Sequence, residues 1–94
     1  MNKSFAQFES EARARGADEV MERRWGPNTQ AALHSHPFDA DALVVQGQMW
    51  LTVAEQTRHL QPGDTFEIAR GVAHSERYGE EGVTYWVGRR TGGG

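Results

Sequence analysis

Three of the four histidines in this 94-residue chain lie in two short segments. His34 and His36 flank Ser35, and His74 follows much later in the chain. Imidazole is the commonest metal-ligating side chain, and alternate residues of a strand project from the same face. His34 and His36 can therefore converge on one ion, and an imidazole from another strand would complete a set of three ligands.

Two further residues close to His74 have side chains suited to catalysis. Glu76 follows His74 by two residues, so on a strand both side chains would lie on the same face. A carboxylate in that position can orient a ligand or act as a general base, and Tyr78 can offer its hydroxyl to a bound ligand. Glu76 and Tyr78 are therefore candidate catalytic residues. The alternative for Glu76 is a solvent-facing charge at the end of a strand.

The first element that must support these residues is a short helix, predicted over residues 4–15. Ser4 and Gln7 have the spacing of a capping box, and Phe8 lies on the same helical face as Ala12. Gly16 is a plausible stop signal. We expect residues 1–17 to form a helical segment that packs on the domain that follows.

After Gly16 the chain has the pattern of an all-β domain, with short strand-like segments between glycine and proline turns. Many short strands at even spacing indicate a sandwich or a barrel. Gly47 and residues 79–82 are interpreted as turns that separate strands. The strands are predicted at 19–25, 29–36, 42–46, 48–54, 58–60, 65–68, 74–77 and 83–88.

Composition excludes several classes of function. The chain has no cysteine, so it can form neither disulfides nor thiolate sites. Its formal net charge of -3 argues against general nucleic-acid binding. The longest uninterrupted apolar run, residues 42–45, is far too short to cross a bilayer. We therefore expect a cytoplasmic protein that binds neither nucleic acid nor a membrane.

Surface and oligomeric state can also be predicted. The arginine pairs Arg23-Arg24 and Arg89-Arg90 are interpreted as solvated surface. Trp50 alternates with the apolar Met49 and Leu51, so it should face outward. An outward tryptophan on so small a domain favours a homodimer, with burial under the helix as the alternative. His59 is assigned to the surface, and residues 91–94 to a disordered tail.

The segment from residue 26 to residue 78 resembles the two-motif signature of the cupin family of small β-barrels. Each motif is recognisable as an ordered set of residues. The first corresponds to Gly26, His34-Ser35-His36 and Gly47, and the second to Pro62-Gly63-Asp64, Gly71 and His74. The resemblance implies a double-stranded β-helix, or jelly-roll barrel, over residues 18–90.

The resemblance also implies that His34, His36 and His74 bind one divalent transition metal in the barrel mouth. The family's usual fourth ligand is a glutamate four residues after the second histidine, where this chain has Ala40. The expected site is three histidines with an open shell, and Asp41 or Asp39 is the candidate for a fourth ligand. Alternatively, the side chains of Asp39 and Asp41 organise the loop by accepting hydrogen bonds from nearby backbone amides. Without a carboxylate the shell is neutral, which suits manganese less well than zinc, iron, nickel or copper.

Two classes of function follow from this resemblance. The first is a metal-dependent enzyme that acts on a small organic ligand by oxygenation, isomerisation or lyase chemistry. The second is a non-catalytic ligand sensor, or a metal-free cupin that binds a small molecule in the barrel. Phe38 and Tyr78 are the aromatic residues expected beside the histidines. Fold resemblance does not choose between these classes, because one barrel hosts many activities.

Overall fold

The computed structural model describes residues 3–92 and has the jelly-roll β-barrel with one N-terminal helix that the sequence predicts. All strand pairs are antiparallel, along the path β1-β6-β3-β4, with β2 paired to β6 and β5 paired to β3. Among these residues no helix has the length and apolar character needed to cross a membrane. The elements are α1 (Phe5–Ala14), β1 (Glu19–Trp25), β2 (Gln30–His34), β3 (Asp39–Val53), β4 (Gln56–Leu60), β5 (Thr65–Ile68) and β6 (His74–Arg90).

The predicted capping box begins α1. The Ser4 hydroxyl accepts from the Gln7 amide at 3.1 Å, and the Ser4 amide donates to the Gln7 side chain at 3.3 Å. Phe8 and Ala12 are buried against Leu43 and the side chain of Trp86 on the outside of the barrel. Full burial of a phenylalanine side chain such as that of Phe8 stabilises the folded state by about 1.5–3 kcal/mol. The helix therefore covers one outer face of the barrel and leaves the histidines free of it.

Two predicted turns are instead bulges within long strands. The predicted strands at 42–46 and 48–54 are one strand, β3, and those at 74–77 and 83–88 are one strand, β6. Gly47 and Gly82 have φ angles of 75° and 72°, and the pairing of β3 with β6 shifts register around Gly47. A glycine with positive φ is typical of a bulge as well as of a turn, which explains the incorrect prediction.

The bulges change which residues face the barrel interior. Before Gly47 the even-numbered residues of β3, such as Ala42 and Val44, are in the barrel core. After Gly47 the odd-numbered Met49 and Leu51 take that place. The same change of parity occurs along β6, where the four residues 79–82 stand opposite Gln48 alone and so interrupt the alternation.

The last described residues are held to the start of β1. Asp18 accepts hydrogen bonds from the Thr91 amide and hydroxyl, at 3.0 and 2.8 Å, and from the Gly92 amide at 3.1 Å. The expected disordered tail therefore has its first half bonded to the barrel. Residues 93 and 94 lie outside the described residues.

Candidate metal centre

Three imidazole rings converge where β2 meets β6. One nitrogen from each of His34, His36 and His74 lies within 4.8 Å of the other two. The ring centroids are 4.4 Å apart for His34 and His74, 4.8 Å for His34 and His36, and 5.0 Å for His36 and His74. His34 and His74 are direct cross-strand partners, so the register of β2 on β6 sets their approach.

His36 reaches this cluster from a loop. The predicted strand at 29–36 is shorter in the structure, where β2 ends at His34. The Gly71 amide donates to the His36 carbonyl at 2.9 Å, which ties the first motif to the second. The His36 ring also stacks on Phe38, with centroids 4.7 Å apart and an interplanar angle of 15°. These two contacts hold His36 although no strand pairing does.

Backbone carbonyls fix the tautomers of two of the imidazoles. Nδ1 of His34 lies 2.6 Å from the Ala32 carbonyl, and Nδ1 of His74 lies 3.0 Å from the Val72 carbonyl. A carbonyl only accepts, so each Nδ1 carries the hydrogen and donates it. Each Nε2 therefore keeps a free lone pair, which is the arrangement that metal-ligating histidines adopt.

The chemistry of this donor set fits a first-row divalent metal. His74 is 1% exposed, and its Nε2 has no hydrogen-bond partner among residues 3–92. Leaving such a buried polar atom unsatisfied costs about 1–3 kcal/mol. A metal bound to Nε2 would remove this cost. Imidazole nitrogens suit zinc, copper, iron and nickel.

The pKa of His36 is lowered from its ordinary value. Burial is the largest cause, followed by the neighbouring His74 and His34 and then by the positive charges of Arg89 and Arg23. Each of these factors disfavours the imidazolium form. His36 is therefore neutral at physiological pH, as a metal ligand must be.

Glu76 lies beside the histidines, on the face expected from its spacing. Its side chain is 6% exposed, and its Oε2 lies 3.7 Å from Nε2 of His74 and 3.9 Å from Nε2 of His34. Glu76 lines the same cavity as the three rings. A buried carboxylate in that position can accept a proton from a ligand bound there.

The structure places Tyr78 behind the site and outside the cavity lining. It is 1% exposed and stacks on Trp25, with ring centroids 5.1 Å apart. Burial raises the pKa of Tyr78, and the nearby negative charge of Glu76 adds to this. Tyr78 therefore keeps its proton and packs in the core, whereas Phe38 does line the cavity.

Neither aspartate considered as a fourth ligand belongs to the histidine group. Asp41 forms an ion pair with Arg15 at 2.8 Å, and Asp39 accepts from the Arg70 amide at 2.8 Å. The cause is strand alternation, since Asp39 and Asp41 lie on either side of Ala40 and so face away from the interior. Ala40 itself lines the cavity.

The cavity beside the histidines has a volume of about 130 Å³. Drug-sized ligands occupy pockets of roughly 300–1,000 Å³, so this one suits a smaller molecule. One wall is apolar and includes Ala40, Phe66, Ile68 and Val87.

Two cavity-lining residues, Arg23 and Arg89, were assigned to solvated surface from the sequence, and that interpretation is wrong. Strand alternation could have identified them. Arg23 lies between Met21 and Trp25, which also face the barrel interior. Arg89 continues the inward series Tyr85 and Val87 on β6. The inward alternation is hard to recognise in the sequence, because each of these arginines is next to a second arginine that faces outward.

Solved structures with the same fold belong to proteins of several activities. KdgF from Halomonas sp. is 19% identical, with a TM-score of 0.66 and coverage of 76% of this chain and 66% of KdgF. The DMSP lyase DddQ from Ruegeria pomeroyi is 19% identical, with a TM-score of 0.69 and coverage of 76% and 36%. An oxalate decarboxylase from Bacillus subtilis is 22% identical, with a TM-score of 0.66 and coverage of 72% and 19%.

These identities show the fold alone. The chain spans just under two thirds of KdgF and about a third or less of the other two proteins. No curated protein matched the chain. The family model for the cupin domain matches residues 21–87, which is more than half of the chain. This protein therefore belongs to the cupin domain family.

Proposed function

We propose that this protein binds one divalent transition metal through His34, His36 and His74 and uses it to act on a small organic ligand. The observation that carries the proposal is the convergence of three imidazoles, two of them held by carbonyls with Nε2 free. Three protein ligands leave coordination positions open for water or a ligand. A metal in this position would supply Lewis-acid polarisation of the bound ligand.

Glu76 favours proton-transfer chemistry, as in an isomerase or a lyase. Its carboxylate is buried at the cavity wall, within 4 Å of two histidines. It can take a proton from a ligand at Oε2 and return it at another atom. The apolar wall beside Ala40 and Phe66 orients the hydrocarbon part of the ligand and limits the access of water. Two of the structural neighbours are named as a lyase and a decarboxylase, which agrees with this class.

The metal is tested by elemental analysis of untagged protein. We expect close to one first-row metal ion per chain. Replacing His34 and His74 together with alanine should lower the bound metal more than tenfold, because two of the three ligands are lost. The matched control is His59→Ala, which removes an exposed histidine outside the group and should retain the metal. Full occupancy in the double variant would refute the metal site.

The role of Glu76 is tested with Glu76→Gln, which keeps the size of the side chain and removes the charge. Among residues 3–92 the converging group of ligand atoms consists of the three histidines without Glu76, so we expect this variant to retain its metal. A loss of metal affinity of tenfold or more would instead make Glu76 a ligand. The measurement is a competition titration against a chelator of known affinity.

A further inference from the structure

Two guanidinium groups reach the cavity from adjacent strands. Arg23 is on β1 and Arg89 is on β6, and both line the cavity that holds the three histidines. Arg23 pairs across the strands with Tyr85, which also lines the cavity. A positive charge placed beside apolar walls is costly unless an anion or a hydrogen-bond acceptor accompanies it.

Protein groups only partly satisfy these charges. Arg89 lies over the Phe38 ring at 4.5 Å from the centroid, and its nearest carboxylate, Glu19, is 3.8 Å away. The Arg89 Nε is buried and has no hydrogen-bond partner among residues 3–92. Within the same residues Arg23 has no carboxylate within 4.0 Å, and its guanidinium carbon lies 5.2 Å from the centre of the Trp25 ring.

The charge of the cavity wall is therefore positive. Arg23 and Arg89 contribute two positive charges, and Glu76 contributes one negative charge. The divalent ion of the proposed function would increase the positive excess. Such a wall attracts an anion and raises its local concentration.

We propose that the ligand of this site is a small carboxylate, held by Arg23 and Arg89 with its hydrocarbon part on the apolar wall; this rests on the function proposed above. The planar arginine fork matches a carboxylate with two parallel hydrogen bonds. The cavity of about 130 Å³ limits the ligand to a short chain. The apolar wall favours a ligand with a hydrocarbon part, which a short-chain carboxylate has and inorganic phosphate lacks.

Butanoate and butanamide are suitable probes, because they have the same shape and differ in charge. Their binding to zinc-loaded and metal-free protein is measured by nuclear magnetic resonance titration of the isotope-labelled chain. We expect butanoate to bind at least tenfold more tightly than butanamide and to shift the Nε–H signal of Arg89. Inorganic phosphate is titrated in parallel. Tighter binding of phosphate than of butanoate would overturn the assignment to a carboxylate.

The arginines are tested one at a time. Arg23→Gln and Arg89→Gln should each weaken butanoate binding at least tenfold, and Arg89→Lys should weaken it less because the charge remains. Arg24→Gln is the matched control, since it removes the same charge from the exposed face of β1 and should leave binding unchanged. Circular dichroism establishes that each variant is folded. Unchanged binding in both glutamine variants would overturn the proposal.

The measurements distinguish failure of the carboxylate site from failure of the metal site. Elemental analysis of the arginine variants should still find the metal, because neither arginine is a ligand. Arginine-dependent butanoate binding to a protein that takes up no metal would support the carboxylate site and refute the metal function. Metal uptake with equal binding of butanoate and butanamide would overturn the carboxylate site alone.

Discussion

At the scale of single residues, Ala40 is the main difference from a site with four protein ligands. It lines the cavity with the three histidines, at the position where the family resemblance places a glutamate. Its methyl group brings no charge to the histidine group and leaves room beside it. In this structure Asp39 accepts a hydrogen bond from the Arg70 amide and Asp41 forms an ion pair with Arg15, so neither carboxylate lies in the histidine group.

Ala40→Glu should convert the site to one with a carboxylate. We expect metal affinity to rise at least tenfold, with a shift towards manganese and iron, since a carboxylate suits harder ions. Butanoate binding should fall, because the new charge repels the ligand and occupies its space. Chelator competition and the same titration measure the two effects. Asp41→Ala is the control, and it should leave metal affinity unchanged; a loss of affinity there would show that Asp41 is a ligand.

At the scale of elements, the bends of β3 and β6 depend on two glycines in contact. A Cβ on Gly47 would lie 2.2 Å from the Gly82 carbonyl oxygen, and one on Gly82 would lie 2.3 Å from the Trp25 carbonyl oxygen. No side chain fits at either position. The bulges direct Tyr85 and Arg89 inward after Glu76, so they determine which residues of β6 reach the cavity.

Gly47→Ala should therefore destabilise the barrel more than Gly63→Ala. Both glycines have positive φ, 75° and 97°, but a Cβ on Gly63 meets nothing within 4 Å. The conformational cost alone is about 1–2 kcal/mol, and the overlap at Gly47 should add about 1–3 kcal/mol. Urea unfolding measures the free energy of each variant. Equal losses would show that the contact with Gly82 does not matter.

The sequence predicted some elements well because their signals are local. The capping box at Ser4 and the alternation of β1 and β5 gave the bounds of these elements closely. The strands β3 and β6 were each predicted as two shorter strands, because a glycine with positive φ occurs in turns and in bulges alike. His36 was placed on a strand, whereas the hydrogen bond from Gly71, distant in sequence, holds it in a loop. Such long-range contacts leave no signal in one sequence.

At the scale of the whole molecule, Asp18 joins the start of β1 to the end of β6, and so connects the two ends of the barrel segment of the chain. It accepts hydrogen bonds from Thr91 and Gly92, and its own amide donates to the Arg89 carbonyl at 2.9 Å. The hydrogen bond from the Thr91 side chain is the largest cause that lowers the pKa of Asp18. The carboxylate form is therefore favoured more in the folded state than in the unfolded state.

Asp18→Ala should thus lower stability in a pH-dependent way. A group with a lowered folded pKa stabilises the fold above its unfolded pKa, and this contribution is lost as pH falls through the folded value. The stability difference between wild type and variant should be largest above about pH 4 and shrink below it. Thermal unfolding over this pH range measures it. The control is Glu80→Ala, which removes a carboxylate at an exposed position. A stability difference between wild type and Asp18→Ala that does not change with pH would contradict the expectation.

The homodimer remains a prediction. Trp50 does face outward, but it is stacked between His59, at a centroid distance of 4.6 Å, and Arg77, at 4.1 Å. These contacts cover part of the tryptophan within one chain. We expect light scattering at high protein concentration to show a dimer, and a monomer there would refute it.

The position of Trp25 gives the protein an internal optical reporter. Its indole lines the cavity, stacks on Tyr78 and donates to the Tyr85 hydroxyl at 3.2 Å. Trp50 lies on the outer face and Trp86 lies against the helix. Replacing those two with phenylalanine would leave a single emitter beside the histidines. Its fluorescence would then be quenched by paramagnetic ions such as copper, so occupancy of the site could be followed in real time without any label.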